Sequence, residues 1–510
     1  MGREGENYMD KQAYLAQIDR VIAAGPYKAD WGSLSRHATP GWYQDAKLGI
    51  FIHWGIYSVP GYHNEWYSRE MYDPKTPSYR YHVAHYGKPD QFGYKDFIPM
   101  FKGEKFDPAA WAKLFRAAGA QYVMPVAEHH DGFAMYQTDY NRWNSVEMGP
   151  HQDVLGRLKS ACQGEKLVFC ASNHRAEHYF FMNNGRRIPS DVSDPAYGDF
   201  YGPAKDSDAL LSYKMSATAN DCRTEGPTED YLEDWLVRCC EMVDRYRPQV
   251  VYFDWWIHNL AFKPYLKRFA AYYYNQAETW GVQVDINYKL QAFAPGCAMP
   301  DVERGTLTEI SPVPWQTCTA IGKRSWGYTK DNRFKSPYHV ITDLIDIVSK
   351  NGRMLLNVGP KPDGTITKEE TQVLQSLGDW LAVNGKGIYG TMPWRCYGEG
   401  KVRAKAAGFF QDNKAKKYTP RDFRFTYKDG RIYAFQMLPG KNKTVRLRTF
   451  CTTAQDLDIR RVTWLGVVRC PLPAALSTWN CSCQRPQAPC CPCVLNWRSD
   501  NARETCKSAR

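Results

Sequence analysis

Short apolar runs alternate with longer amphipathic stretches over most of the chain. Runs rich in Val, Ile, Leu and Phe predict buried strands at residues 48–53, 121–127, 167–171, 250–254, 282–287 and 353–358. Stretches with helical spacing predict helices at 10–24, 107–120, 229–246, 265–280, 339–350 and 368–383. Buried strands separated by helices indicate a parallel sheet, closed or doubly wound, and a (β/α)8-like TIM barrel is the favoured form.

The pattern changes after residue 388. Short strands with turn residues are predicted at 422–427, 431–437, 444–448 and 462–466, which is typical of a small β-sandwich. From residue 467 the alternation is lost and Cys, Pro and Arg dominate. We therefore predict a helical leader over 1–39, the barrel over 40–388, an incomplete C-terminal β-sandwich over 389–466, and a disordered or aberrant tail over 467–510.

Polar clusters follow the predicted barrel strands. His53 follows the first strand, the Glu-His-His-Asp segment 128–131 follows the second, the segment 173–178 follows the third, and Asp254 ends the fourth. Barrel enzymes carry their active sites on the loops at the carboxyl ends of the strands, so the clusters predict one polar pocket. The 17 Trp and 34 Tyr suit stacking on sugar rings, although large aromatic cores would give the same composition.

Charge and hydropathy exclude some classes of protein. The net charge of +12 is spread without Lys/Arg blocks, which argues against nucleic-acid binding. No run approaches 18 apolar residues and the first residues lack the apolar core of a secretory signal, so no membrane contact is predicted. As written, the chain is expected in the cytoplasm, or secreted, lysosomal or periplasmic if its N-terminus is incomplete. Its oligomeric state is open, and a homo-oligomer is compatible with the sequence.

Asp254 ends an apolar strand among aromatic residues, where an ionised carboxyl is costly without donors or cations nearby. Such a carboxylate suits the nucleophile of a retaining glycosidase, which attacks the anomeric carbon. A second carboxyl about 5–5.5 Å away then protonates the leaving oxygen. A helix cap or a loop salt bridge is the alternative role for Asp254.

Two adjacent histidines, His129 and His130, could bind a metal or a sugar. Adjacent residues of an extended strand point to opposite sides, so the pair is not expected to chelate one ion, and no metal is predicted. Imidazole offers a donor and an acceptor, which suits sugar hydroxyls. Glu65 and Trp66 together also fit a pyranose site, with loop packing as the alternative, and His53 could instead be a core histidine.

Several linked motifs resemble the α-L-fucosidases of glycoside hydrolase family 29. They are AKLGIFIHWGIYSVPGYHNEWY (46–67), EHHDGFAMY (128–136), PQVVYFDWW (248–256), SWGYTKDNRFKS (325–336), GRMLLNVGPKPDGTI (352–366) and WLAVNGKGIYGTMPW (380–394). The resemblance covers residues 40–395. It implies an exo-glycosidase that removes terminal α-L-fucose from glycans and needs no cofactor.

The resemblance also implies roles for individual residues. Asp254 would be the nucleophile, and the fucose would be held by His53, Glu65, Trp66, His129, His130, His174, Tyr252 and Trp256. Tyr252 stands where many members have Trp, so its contact with sugar is a departure from the family pattern. The segment ASNHRAEHYFF (171–181) is similar to a subset of bacterial and fungal members, in which His174, and His178 as a second candidate, would face the pocket.

The general acid varies in position across this family. Many members have Trp-Glu where this chain has Trp315 and Gln316, and a Gln amide has no proton to donate at neutral pH. Glu303 is the first choice for the acid/base because it follows the loop of the fifth predicted strand and resembles an ERG segment of the same bacterial and fungal subset, and Glu309 is the alternative. A loop salt bridge of Glu303 with Arg304 or another cation remains open.

Two other functions stay open at this point. A fucose-binding protein without activity would keep the His and Trp contacts and lose the pair of carboxyls. A glycosidase for a related sugar such as α-L-galactose would differ only where the pocket meets C6. The expected function is hydrolysis of terminal α-L-fucosides by double displacement, with a fucosylated oligosaccharide or glycoconjugate as substrate.

Overall fold

A computed structural model describes residues 10–207, 210, 225–412, 416–438, 444–452, 458–469, 475–484 and 494–496. Eight helices of ten or more residues lie in these segments: α1 (Lys11–Ala24), α2 (Pro77–Tyr86), α3 (Pro108–Ala117), α4 (Val154–Gly164), α5 (Glu229–Tyr246), α6 (Lys263–Trp280), α7 (Pro337–Val348) and α8 (Lys368–Asn384). Shorter helices are Trp31–Leu34, Gly41–Ala46, Tyr67–Glu70, Gly198–Tyr201 and Thr449–Thr452. None of the described helices is long and apolar enough to cross a bilayer.

Nine parallel strands form the barrel: β1 (Leu48–Ile52), β2 (Tyr122–Glu128), β3 (Val168–Phe169), β4 (Ala171–Asn173), β5 (Val250–Phe253), β6 (Asp285–Tyr288), β7 (Met299–Pro300), β8 (Trp315–Ala320) and β9 (Gly352–Val358). Their order is β7-β6-β5-β4-β2-β1-β9-β8, and β3 also pairs with β2, so β3 and β4 share one position. A parallel bridge between Asp301 and Gln316 joins β7 to β8 and brings the two ends of the sheet together. The predicted (β/α)8-like barrel is confirmed.

Local sequence explains where the helices begin. Side-chain oxygens of Asp107, Asp153, Ser336 and Thr367 accept hydrogen bonds from backbone N–H groups in the first turns of α3, α4, α7 and α8. These caps satisfy N–H groups that have no partner within the helix. The buried faces of the helices then pack on the strands, and the predicted helix positions agree closely with those observed.

The barrel interior is filled by a separate cluster of buried side chains that includes Phe51, Tyr122, Tyr252, Cys318 and Leu355. This cluster closes the barrel below the carboxyl ends of the strands. The space above it is therefore where side chains at the strand ends can form a pocket.

The small C-terminal domain has a five-stranded antiparallel sheet in the order β10-β11-β12-β15-β14 and a two-stranded pair of β13 with β16. The strands are β10 (Met392–Glu399), β11 (Phe423–Lys428), β12 (Arg431–Gln436), β13 (Thr444–Arg446), β14 (Asp458–Arg469), β15 (Ala475–Gln484) and β16 (Val494–Asn496). This agrees with the predicted C-terminal β-sandwich. The structure differs from the expected tail, because β14 and β15 continue past residue 466 and β15 pairs with the edge of β12. β16 also lies in this tail and pairs with β13, whereas residues 470–474, 485–493 and 497–510 lie outside the described residues.

A buried ion cluster joins the small domain to the barrel. Asp346 of α7 contacts Lys350 at 2.9 Å, Lys416 at 2.7 Å and Arg424 of β11. Burial alone would raise the pKa of Asp346, but the three cations outweigh burial and hold it well below its usual range. The carboxylate is therefore ionised and links the two domains electrostatically.

Candidate active site

A cavity of about 310 Å³ opens at the carboxyl ends of the barrel strands. The cavity is lined by Phe51, His53, Glu65, Trp66, His129, His130, His174, Tyr252, Asp254, Trp255, Lys289, Glu303, Cys318 and Trp326. Nearly all the side chains that the sequence predicts for the site therefore meet in one place.

Asp254 follows β5 directly and is only 7% exposed. Its Oδ2 lies 2.9 Å from Nδ1 of His174 and 3.4 Å from Nε2 of His130, and its Oδ1 accepts a hydrogen bond from Lys289. Burial alone would raise the pKa of Asp254, but these three neighbours outweigh it and keep the pKa well below its usual range. The carboxylate is ionised and directed into the cavity, as a nucleophile must be.

Lys289 is a site residue that the sequence patterns did not indicate. It lies just after β6, is almost fully buried, and donates to Asp254 Oδ1 and to Glu303 Oε2. Burial would lower the pKa of Lys289, but the two carboxylates outweigh burial and raise it. Its ammonium therefore stays charged between the two acidic groups.

Glu303 is the acidic partner that the structure brings to Asp254. Besides Lys289, its Oε2 accepts a hydrogen bond of 2.5 Å from the indole N–H of Trp255. Arg304 faces Asp412 at 3.6 Å instead, so the cation that pairs with Glu303 is Lys289 and not Arg304. Glu309 is exposed beside Cys396 and Tyr397 and does not line the cavity.

Gln316 has a structural place within the barrel. Its amide donates to Asp301 Oδ2 at 2.9 Å, and its oxygen accepts from Tyr43 at 2.7 Å and Tyr122 at 3.0 Å. These bonds join β8 to β7 and β2 in the interior. The side chain does not line the cavity, which agrees with excluding it as the acid.

His53 and Glu65 form one wall of the cavity. His53 Nδ1 is 2.6 Å from Asn357 Oδ1, and its ring stacks on Trp326 with centroids 5.2 Å apart. One oxygen of Glu65 accepts from the Ser325 hydroxyl and from the Trp326 N–H, both at 2.9 Å. These bonds fix both side chains and leave His53 Nε2 and the second Glu65 oxygen available for sugar hydroxyls.

Three more histidines line the cavity beside His53, whose ring lies 5.7 Å from that of His129 and 5.3 Å from that of His174. The His130 Nδ1–H donates to the backbone carbonyl of His174 at 2.8 Å, and the Ser172 hydroxyl is 3.0 Å from His174 Nε2. Burial lowers the pKa of His129 and of His174, so both rings are neutral. Burial would lower the pKa of His130 as well, but the charges of Glu177 and Asp254 outweigh it and raise this pKa.

The aromatic residues after Asp254 differ from their predicted roles. The structure does not bring Trp256 to the cavity, because its backbone has φ 71° and its ring packs on Tyr179 and Phe180. Trp255 lines the cavity instead. His178 is likewise outside the lining, where its Nδ1 is 2.9 Å from the carbonyl of His130.

Two groups of side chains have atoms close enough to share a metal ion: His53, His129 and His174, and His130, His174 and Asp254. His129 and His130 fall in different groups, as the expectation for adjacent residues requires. Several of these side chains also contact protein groups, namely Asn357 for His53, Ser172 and Asp254 for His174, and Lys289 for Asp254. The absence of a metal from the reaction stays a prediction.

The residues that sequence reasoning missed are Lys289, Trp255, Trp326, Phe51 and Cys318. Lys289 follows a barrel strand as His53 and Asp254 do, so the rule that located those two could also have located the lysine. Phe51 and Cys318 lie within strands, where the sequence gives no sign that they reach the floor of a pocket. The positions of Trp255 and Trp326 depend on loop turns.

A parallel barrel whose strand ends bring three carboxyl groups, four imidazoles and three indoles to one pocket is typical of a glycoside hydrolase of the barrel class. Comparison with known proteins narrows this class. The family model described as Alpha-L-fucosidase matches residues 14–386. The chain belongs to the α-L-fucosidase family.

Relatives and solved structures agree with this assignment. Human tissue alpha-L-fucosidase is 31% identical over 75% of this chain and 76% of its own length. The mouse tissue enzyme is 29% identical over 88% of both chains. The crystal structure of Thermotoga maritima alpha-fucosidase in complex with fucose aligns with a TM-score of 0.67 and 28% identity, and covers 89% of this chain and all of that one.

Proposed function

We propose that this α-L-fucosidase releases terminal fucose from glycans with net retention, with Asp254 as nucleophile and Glu303 as acid/base. The observation that carries the proposal is that one ammonium, that of Lys289, contacts both carboxyl groups. Two hydrogen-bond lengths limit the separation of the contacted oxygens to about 6 Å. This is close to the spacing of retaining enzymes, about 5–5.5 Å, and below the about 6.5–9.5 Å of inverting enzymes.

In the first step, Asp254 attacks the anomeric carbon of the bound fucose. The bond from this carbon to the glycosidic oxygen breaks, and Glu303 gives its proton to that oxygen, so that the rest of the glycan leaves as an alcohol. His130, His174 and Lys289 keep Asp254 ionised before the attack. The product of the step is a fucosyl ester of Asp254.

In the second step, water attacks the anomeric carbon and Glu303 accepts its proton. The ester to Asp254 breaks, and the carboxylate and Glu303 return to their first states. While the ester exists, Asp254 has no negative charge and Lys289 faces Glu303 alone.

The remaining lining residues are proposed to hold the fucose. His53, His129 and Glu65 offer acceptors and donors to its hydroxyls, and Trp66 offers an apolar face at the rim. Tyr252 lies beneath them, with its hydroxyl 3.3 Å from Cys318 Sγ and 3.4 Å from Asp301, so it supports the floor of the pocket. Fucosylated oligosaccharides and glycoconjugates are the proposed substrates.

Azide rescue of two variants tests the carboxylate roles. Asp254→Gly removes the nucleophile and Glu303→Ala removes the acid/base, and each is expected to lower kcat/KM for a fucoside with a poor leaving group at least about 1,000-fold, about 4 kcal/mol. With an activated aryl α-L-fucoside and azide, Asp254→Gly should form β-fucosyl azide and Glu303→Ala should form α-fucosyl azide. NMR of the products distinguishes the two.

Other outcomes would contradict the proposal. If Glu303→Ala keeps full activity on a fucoside with a poor leaving group, Glu303 is not the acid. Glu309→Ala is the matched control, since Glu309 does not line the cavity. Fucose binding by the wild type without turnover would favour a binding protein. Faster turnover of an aryl α-L-galactoside than of the corresponding fucoside would assign the pocket to the sugar that carries a C6 hydroxyl.

A further inference from the structure

A segment of the small domain reaches back to the loop that carries Glu303. Thr306 and Gly408 exchange two backbone hydrogen bonds, at 3.2 and 3.0 Å. The Phe410 N–H donates to the carbonyl of Glu303 at 3.0 Å, and the Gln411 N–H donates to the carbonyl of Arg304 at 2.7 Å. The segment therefore has a fixed position beside the second carboxyl of the site.

Two phenylalanines of this segment extend the aromatic wall of the cavity outwards. The Phe409 ring lies 5.3 Å from Trp255, and the Phe410 ring is nearly parallel to Trp255 at 6.1 Å with an interplanar angle of 9°. Trp255 itself lines the cavity and donates to Glu303. The three rings form one surface, the aromatic ledge, that runs from the acid/base to the protein exterior.

The position of Phe410 costs stability in two ways. Its side chain is 39% exposed although it is large and apolar, and its backbone has φ 55°, in the left-handed region that disfavours residues other than glycine. Backbone strain of this kind persists where a function uses the residue it places. A ligand that covers the ring would account for its exposure.

The direction of the reaction identifies this ligand. Glu303 must touch the oxygen of the leaving group, so the ring attached to that oxygen lies on the Glu303 side of the cavity, where the aromatic ledge is. An aromatic face accepts the apolar C–H face of a pyranose, and Phe409 and Phe410 bear no group that would compete for its hydroxyls. The ledge thus fits a leaving group that is itself a sugar ring.

We propose that Phe409 and Phe410 form the binding surface for the leaving sugar of the fucoside, which rests its C–H face on Phe410. The inference depends on the proposed function, because it needs Glu303 to contact the leaving oxygen. It adds a specificity determinant from the small domain to a pocket built by the barrel. The ledge would favour fucose linked to a pyranose over fucose linked to a small alcohol.

The test compares two substrates that both need protonation of the leaving oxygen. Methyl α-L-fucoside has no second ring, whereas a fucosyl disaccharide has one. Phe410→Ala is expected to lower kcat/KM for the disaccharide about 10-fold, the effect of losing one aromatic contact, and to leave methyl α-L-fucoside within about twofold. Phe410→Trp keeps an aromatic ring at this position and should retain the preference for the disaccharide.

Met392→Ala is the matched control, since it removes a 59% exposed apolar side chain from the same domain. It should alter neither substrate. Equal losses on both substrates for Phe410→Ala would mean that the residue only positions the Glu303 loop, and no loss on either would mean that the ledge binds nothing; both results overturn the inference. A wild type without activity on any fucoside refutes the proposed function itself, and the inference with it.

Discussion

Lys289 is the residue on which the electrostatics of the pocket depend. Its ammonium is buried and donates to Asp254 and to Glu303, so removing it leaves two carboxylates close together without their shared cation. A carboxylate that loses a nearby cation is harder to ionise. The state of Asp254 in the free enzyme therefore reports directly on Lys289.

Lys289→Met should raise the pKa of Asp254. The reaction needs the ionised form, so activity is present above the pKa of Asp254 and lost as the pH falls through it. The acid limb of kcat/KM against pH, which reports groups of the free enzyme, should move up by about one unit or more. Lys289→Arg keeps a cation and should leave the limb near its original position.

A buried lysine elsewhere provides the control for this experiment. Lys350 pairs with Asp346 at 2.9 Å outside the pocket, so Lys350→Met tests the general effect of removing a buried cation. The acid limb of kcat/KM against pH should not move in Lys350→Met. An unchanged limb in Lys289→Met would refute the role given to this residue.

Residues that follow a strand directly could be predicted from the sequence, and those placed by turns could not. Asp254 and His174 lie at strand ends, where barrel geometry points side chains to a common centre. Trp256 was expected in the pocket from the resemblance to the family, not from any pattern of spacing. The chain turns at Trp256 with φ 71°, which ends the alternation and sends Trp255 to the cavity.

At the scale of elements, the contact between α8 and the end of α3 depends on a glycine, which has no side chain to keep the two helices apart. A Cβ at Gly378 of α8 would overlap the carbonyl oxygen of Ala117, which is backbone and cannot move aside easily. The two helices lie side by side in the outer layer of the barrel. Glycine is therefore needed here for close approach and not for a special backbone conformation.

Gly378→Ala should lower the free energy of unfolding by about 1–3 kcal/mol, because the overlap outweighs the gain in helix propensity of about 1 kcal/mol. Gly164→Ala, at the end of α4, is the control, since its Cβ would meet no atom within 4 Å. That change should be neutral or stabilising. Urea unfolding of both variants measures the difference, and equal stability would contradict the packing argument.

Elements with a strong apolar period were predicted well, and two barrel strands were not. β7 has only two residues, Met299–Pro300, too few for any pattern. β8, Trp315–Ala320, contains Gln316, Thr317 and Thr319, so it does not look like a buried strand. Their polar atoms find partners inside the fold, for example Thr317 Oγ1 with the carbonyl of Val302 at 2.7 Å, and these partners lie on other segments.

At the scale of the whole molecule, the carboxylate of Asp346 pairs with three cations, Lys350, Lys416 and Arg424, where the barrel meets the small domain. Asp346→Asn would leave Lys350 and Arg424 buried without a carboxylate. Breaking a buried ion pair in this way costs about 3–5 kcal/mol, and thermal unfolding should show the loss. Asp230→Asn, which removes an exposed partner of Lys11, is the control and should have no measurable effect.

The same carboxylate gives the expected response to acid. Because the pKa of Asp346 is held well below its usual value of 3.8, its contribution is complete above about pH 3.8 and is lost as the pH falls through the folded-state pKa. The wild type should lose this stability in acid, whereas Asp346→Asn lacks it at every pH. A difference between the two proteins that does not shrink at low pH would contradict this assignment.

The hydrogen bonds between residues 408–411 and the Glu303 loop determine what is lost when the barrel is expressed without the small domain. An excised barrel would retain Asp254, His130, His174 and Lys289, all of which lie on barrel segments, and would lose the chain that braces Glu303. Exchanging the small domain for that of a relative would replace the ledge and the brace together. If the proposed roles of Glu303 and the ledge hold, a chimera is expected to take its leaving-group preference from the protein that contributes the small domain.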